Sequence, residues 1–158
     1  MNKPLPWTRL LVCLSTLFFL SVACSPTPKP ETASPTPANA ITNITWQWTS
    51  VTNRSSGETT QVSAPQNYTL TFREDGTLSG KADCNTFNGT YSQQGGISIT
   101  IGASTKAYCG DSSLDQQYLQ LLSEVTAGGP DGQGNLALET PGGEQRMLFA
   151  NGGAASAP

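Results

Sequence analysis

The chain has 158 residues, enough for one ordinary domain with short appendages. Charged residues make up only 12% of it, 8 Lys and Arg stand against 11 Asp and Glu, and there is no histidine. Such an acidic, largely neutral-polar chain lacks the basic footprint that nucleic-acid backbones require; the missing imidazole excludes His-dependent catalysis and argues against a zinc centre.

Residues 1–23 have the parts of a secretory signal: Lys3 and Arg9 in front, an apolar run from Leu10 to Leu20, then small residues. The run is about 11 residues long, against the roughly 20 that span a bilayer, so it reads as a signal that is removed. Its loss takes Lys3 and Arg9 with it and leaves 6 basic against 11 acidic residues, a net charge of −5. The string Leu20-Ser21-Val22-Ala23-Cys24-Ser25 resembles a bacterial lipobox, in which Cys24 receives a lipid and becomes the mature N-terminus. Ser21 departs from the usual leucine, and Ser21-x-Ala23 also fits ordinary cleavage, which would leave Cys24 unlipidated. From Ser25 to Ala40 proline recurs too often for a helix and apolar residues are too few for a core, so residues 24–43 read as a lipidated cysteine and a tether. Extended as polyproline II, that tether reaches about 50 Å at ~3.1 Å per residue.

The folded domain is expected over residues 44–150. Ile44 to Val51 alternates as a strand with Trp46 and Trp48 on one face, which implies a core or a groove for stacking sugar rings. The core reading is preferred, because no polar group nearby is arranged to complete a sugar site. Asn53 to Pro65, polar and containing Gly and Ser, reads as a loop or an irregular excursion. Asn67 to Arg73 alternates with Tyr68, Leu70 and Phe72 inward, and Asp75-Gly76 turns it into a hairpin with Thr77 to Lys81. Asn85 to Tyr91 and Ile97 to Ile101 give two more strands around Gly95-Gly96, with the three isoleucines on one face. Gly80 and Gly89 inside strand patterns predict bulges or close backbone approach.

Ser112 to Val125 breaks the β rhythm, with Leu114, Tyr118, Leu121, Leu122 and Val125 at helical spacing. Asp111 or Ser112 is expected to cap this helix, with Asp115 completing a capping box, and Gly128-Gly129-Pro130 to end the segment. Asn135 to Glu139 and Arg146 to Ala150 predict a closing hairpin, and residues 151–158 a disordered tail. The predicted class is thus α+β, mainly antiparallel β, a small curved sheet or partly closed barrel with one packed helix. Cys84 and Cys109 lie in a β-rich exported domain without histidine, so they are read as a disulfide. Closing a loop of about 25 residues, it would stabilise by roughly 3 kcal/mol.

Phe72-x-x-Asp75-Gly76, Gly80 ahead of Cys84-Asn85-x-Phe87-x-Gly89-x-Tyr91, Ser104-Thr105-x-x-x-Cys109, Tyr118 with Leu122, Leu136-x-Leu138 and Leu148-Phe149 resemble the META domain family from about Trp46 to Phe149. Asp83 stands where the family often has glycine, and Tyr108 where a small residue commonly precedes the second cysteine. The resemblance implies a small antiparallel domain, exported or lipid-anchored, linked in some members to envelope stress and drug tolerance. It implies no catalytic residues.

The expected function is a non-enzymatic binding or stress-protective module of the bacterial envelope, anchored in an outer membrane or displayed at the cell surface. The alternative is an inhibitor of a secreted protease or lysozyme that inserts a loop such as Asn53–Pro65. The expected contact edge is Asn85, Thr86, Asn88, Thr105 and Lys106, held by the staple. Expected partners are the membrane, through the lipid, and an envelope protein or glycan; no cofactor, metal or nucleic acid is expected, and the protein is expected to be a monomer. Four Asn-x-Ser/Thr matches, at Asn43, Asn53, Asn67 and Asn88, are read as accidents of composition.

Overall fold

The structure is a computed structural model that describes residues 40–156. The segment read as a signal, Cys24 and most of the segment read as a tether lie outside the described residues, as do 157–158. Nine strands, β1 (Ile44–Asn53), β2 (Thr59–Gln61), β3 (Tyr68–Phe72), β4 (Thr77–Ala82), β5 (Asn85–Ser92), β6 (Ser98–Ser104), β7 (Ala127–Pro130), β8 (Leu136–Glu139) and β9 (Gln145–Ala154), join one helix, α1 (Asp115–Ser123). All the strand pairs are antiparallel, in the order β6-β5-β4-β3-β1-β9-β8-β7, and the sheet curls strongly into a half-barrel. This is the expected α+β class. The long β1 organises the sheet: β9 takes one edge, while β3 pairs with residues 45–47 and β2 with residues 50–52 on the other.

Alternation places the core as the sequence predicts. Trp46, Trp48, Tyr68, Leu70, Phe72, Leu78, Ile97 and Ile99 are buried, with Ile101 partly buried beside them. Trp48 and Tyr118 stack with ring centroids 5.0 Å apart, and Tyr68 sits edge-on to both at 5.7 Å. Such ring pairs add roughly 0.5–1.5 kcal/mol each beyond area burial. Both indole N–H groups donate to backbone carbonyls, Trp46 to Ile41 O and Trp48 to Ser50 O, each at 2.9 Å, so the tryptophans are core and not a sugar platform.

The glycines in strand patterns have the expected cause. A Cβ on Gly80 would lie 2.0 Å from Thr69 O and 2.6 Å from Phe87 Cζ; one on Gly89, at the register shift between β5 and β6, would lie 2.2 Å from Thr100 O. Asp75-Gly76 also turns as expected, with Gly76 at φ 83° and Asp75 Oδ1 accepting from Thr77 N and Oγ1 at 2.9 and 2.6 Å.

Several boundaries differ from the sequence reading. The Asn53–Pro65 segment contains β2, fixed to β1 at Ser50, Val51 and Thr52, so it is not a free loop. Gly128-Gly129-Pro130 belongs to β7, where a Cβ on Gly128 would lie 2.4 Å from Ala137 O; the glycine permits pairing with β8. The helix starts at Asp115, with Leu114 at its N-cap and no side-chain cap, so neither Asp111 nor Ser112 caps it; Asp115 N donates instead to Ser113 Oγ at 3.2 Å. Residues 151–154 are not a disordered tail: they continue β9, pairing Asn151 with Trp46 and Ala154 with Ile44. The fold also begins before 44, since Ile41 is fully buried and Thr42 bridges Phe72.

Candidate binding surface around the disulfide

Two residues, Asp83 and Cys84, connect β4 to β5. Asp83 sits at φ 57°, in the left-handed region that favours glycine and tolerates a short polar side chain such as Asp. That backbone accepts Asp83 without the strain a larger side chain would bring. Asp83 N donates to Asn67 O at 2.8 Å, which fixes the turn. Cys84 is bonded to Cys109, with Cα atoms 5.6 Å apart, so the turn is stapled to the segment that follows β6.

Asn85, beside the staple, is only 2% exposed. Its Oδ1 accepts from Ala107 N at 2.7 Å and Thr105 Oγ1 at 3.0 Å. Its Nδ2 donates toward Ala107 O at 3.0 Å, Asp115 Oδ2 at 3.1 Å and Cys109 Sγ at 3.2 Å. Two amide hydrogens serve these three acceptors, and sulfur is the weakest of them. One side chain therefore ties together the hairpin, the stapled segment and the start of α1. Leu114 N donates to Tyr68 OH at 2.9 Å and seats that helix end on the core.

Held this way, Ala107-Tyr108-Cys109 forms a ridge between two grooves of about 450 Å³ each. One groove is edged by Lys106, Gln116 and Leu119, the other by Asp111, Ser113 and Gln117. Tyr108 is 80% exposed, the one large hydrophobic side chain so exposed among the described residues. Its hydroxyl donates to Asp111 Oδ1, a bond that raises the phenol pKa above its ordinary value. The side chain is turned to the surface, so its bulk meets no packing constraint from the core.

The chemistry this surface offers is an aromatic face, hydroxyl and amide hydrogen bonding, and one cation. Lys106 forms no ion pair among the described residues, whereas Arg54 and Arg146 both reach Glu139, at 2.7 and 3.7 Å. Asp115 is occupied by Asn85 and by Gln116 N at 2.8 Å, and Asp111 by Tyr108. Among the described residues no group of three or more His, Cys, Asp or Glu could hold a metal ion.

The structure spreads the five residues read as a contact edge over two grooves: Thr86, Asn88 and Thr105 line one of about 290 Å³, and Thr105 also lines the one that Lys106 edges. Lys106 is exposed on the groove rim with Thr105 beside it, and Asn85 lies beneath, buried in its own hydrogen bonds. Thr86 and Asn88 point to the opposite, outer face of β5, where Asn88 Oδ1 accepts from Ala103 N at 3.2 Å. Tyr108, Gln116 and Leu119 were missed. A lone aromatic between a lysine-alanine pair and a cysteine in an otherwise polar segment was the available signal.

A family model described as the META domain matches residues 39–152. Similar solved structures include an NMR structure of a protein from Burkholderia xenovorans, 23% identical with a TM-score of 0.58, covering 79% of this chain and 96% of that one. A crystal structure of a DUF4847 family protein from Bacteroides vulgatus is 14% identical with a TM-score of 0.56, covering 70% of this chain and 93% of that one. At these identities the likeness is one of fold. No curated protein matches the chain.

Proposed function

The chain belongs to the META domain family, and from that premise we propose that it is a non-enzymatic binding module of the bacterial envelope, with the stapled ridge as its contact surface. A lipid on Cys24 anchors it, and the proline-rich tether carries the domain clear of the membrane. Its partner is an envelope protein or glycan, and the binding serves a stress-protective role.

The observation that carries this reading is Tyr108, 80% exposed and flanked by grooves on a segment fixed by a disulfide and by Asn85. A rigid aromatic presents contact area at small entropic cost, which is the usual character of a binding anchor. The non-enzymatic part is supported by the absence of histidine and by the commitment of both nearby carboxylates to hydrogen bonds. Inhibition of a secreted hydrolase is a narrower form of the same binding, and the ridge suits insertion better than Asn53–Pro65, which β2 ties to the sheet.

Placing the photocrosslinker p-benzoylphenylalanine at position 108 in intact cells tests the reading, with position 133 on the β7–β8 turn as control. A discrete crosslinked product from 108 alone is expected. Equal yields from the two positions would overturn the ridge as contact surface, and turnover of peptidoglycan, peptide or ester substrates by pure protein would overturn the non-enzymatic reading.

A further inference from the structure

The outer face of the sheet carries a second surface, separate from the Tyr108 ridge. In register, Thr45, Thr71, Ser79 and Asn88 form one cross-strand row, and Gln47, Thr69, Lys81 and Thr86 form the next. The alternation that buries Leu70, Phe72 and Leu78 turns these residues outward. A groove of about 380 Å³ crosses both rows, with Ala155 and Ser156 contributing to its lining.

Arg73 and Lys81 line this groove and no carboxylate does. That runs against the domain as a whole, in which 5 basic residues between 40 and 156 face 10 acidic ones. Neither cation forms an ion pair among the described residues. The charge of Arg73 helps to lower the pKa of Asp75, but that carboxylate is turned to Thr77, whose hydroxyl and backbone N–H are the larger causes. Between the cations, Thr71 is only 8% exposed, yet its hydroxyl makes no hydrogen bond among the described residues. Arg73 lies four residues along the strand from Thr69, the partner of Lys81. At ~3.3 Å per residue, the two cations leave the backbone about 13 Å apart, with hydroxyls between them.

We propose that this groove binds an extended acidic oligosaccharide, whose acid groups meet Arg73 and Lys81 and whose hydroxyls exchange hydrogen bonds with Thr71, Ser79 and Thr45. A tight protein partner would be expected to use an aromatic or aliphatic anchor, and the one large apolar side chain lining the groove, Phe87, is only 4% exposed. Nucleic acid or an anionic bilayer would need more cations or stacking aromatics. The spacing suits a chain with acid groups at intervals, since a single anion cannot lie against both cations without drawing the two side chains together.

Calorimetric titration of detergent-purified full-length protein with tetragalacturonate, its neutral methyl ester and inorganic phosphate tests the proposal at low ionic strength. The acid tetramer is expected to bind roughly tenfold or more tighter than the ester or phosphate, with an affinity that falls as salt rises. Arg73→Gln with Lys81→Gln is expected to weaken it by about tenfold or more, and Thr71→Val by a few-fold, while Lys106→Gln leaves it unchanged. Circular dichroism of each variant confirms that the sheet is kept. Absence of binding by the tetramer, equal binding of ester or phosphate, or wild-type affinity in the folded double variant would overturn the proposal. So would loss of binding in Lys106→Gln, which would move the site to the ridge, or capture of the Cys24→Ser variant, which has no lipid of its own, by phosphatidylglycerol vesicles that the sugar does not displace. Failure here leaves the crosslinking test at position 108 standing on its own.

Discussion

Asn85→Ala is the substitution that most directly probes the frame beneath the ridge. It removes the two bonds accepted by Oδ1 and those donated by Nδ2, including one to the Asp115 carboxylate at 3.1 Å. Neutral bonds contribute about 1 kcal/mol net and a bond to a charged group about 1.5–3 kcal/mol. Thr105 and Ala107 are exposed residues that regain water, so the lower end applies and the expected loss is about 3 kcal/mol. With a urea slope of roughly 1–3 kcal/mol/M, the unfolding midpoint should fall by about 1–3 M. Asn85→Asp sharpens the test, because it sets a carboxylate against Ala107 O and Asp115. The new group's folded pKa then lies above its unfolded value of about 3.9, so the variant is least impaired below that pH and loses stability as pH rises through the folded pKa. The gap between Asn85→Asp and wild type should therefore widen from about pH 4 to pH 7. A midpoint for Asn85→Ala within about 0.3 M of wild type, or a pH-independent gap for Asn85→Asp, would refute the role given to this side chain.

Tyr118 is fully buried and its hydroxyl has no hydrogen-bond partner among the described residues, so Tyr118→Phe should raise stability by about 1 kcal/mol in urea unfolding; a loss would show that the hydroxyl is paired. Gly80→Ala places a Cβ 2.0 Å from Thr69 O, which cannot be relieved without parting β3 from β4; a cost of roughly 3 kcal/mol or failure to fold is expected, and an unchanged melting temperature would contradict the close approach. Cys24→Ser should move the protein from the membrane to the soluble exported fraction on cell fractionation, and unchanged membrane association would count against the lipid anchor.

The inward alternation at Trp46, Tyr68, Leu70, Phe72 and the isoleucines was legible because each strand buries one face, which a period of two records directly. The missed strands leave no such record. In β7, Ala127-Gly128-Gly129-Pro130 has the composition of a break, yet Gly128 is needed for close approach to Ala137 O. Residues 151–154 are small and exposed, and only their backbone pairing to β1 orders them. Of the candidate site, the Cys84–Cys109 bridge could be read from two cysteines without an imidazole. The burial of Asn85 could not, since its partners at Thr105, Ala107 and Asp115 come together only through the fold. The turn conformation that lets Asp83 stand in for glycine was likewise visible only as an unexplained departure.

If the staple and Asn85 hold Ala107-Tyr108-Cys109 rigid, as the proposed contact surface requires, amide hydrogen exchange at Ala107 reports it. This residue is exposed, yet its N–H donates to buried Asn85 Oδ1 at 2.7 Å. In the oxidised protein it should exchange on the order of 100-fold or more slower than an unstructured amide, and reduction of Cys84–Cys109 should raise its rate while the amides shared by β3 and β4 keep theirs. Exchange of the Ala107 amide at the unstructured rate in the oxidised protein would show that the segment is not held by the staple and Asn85.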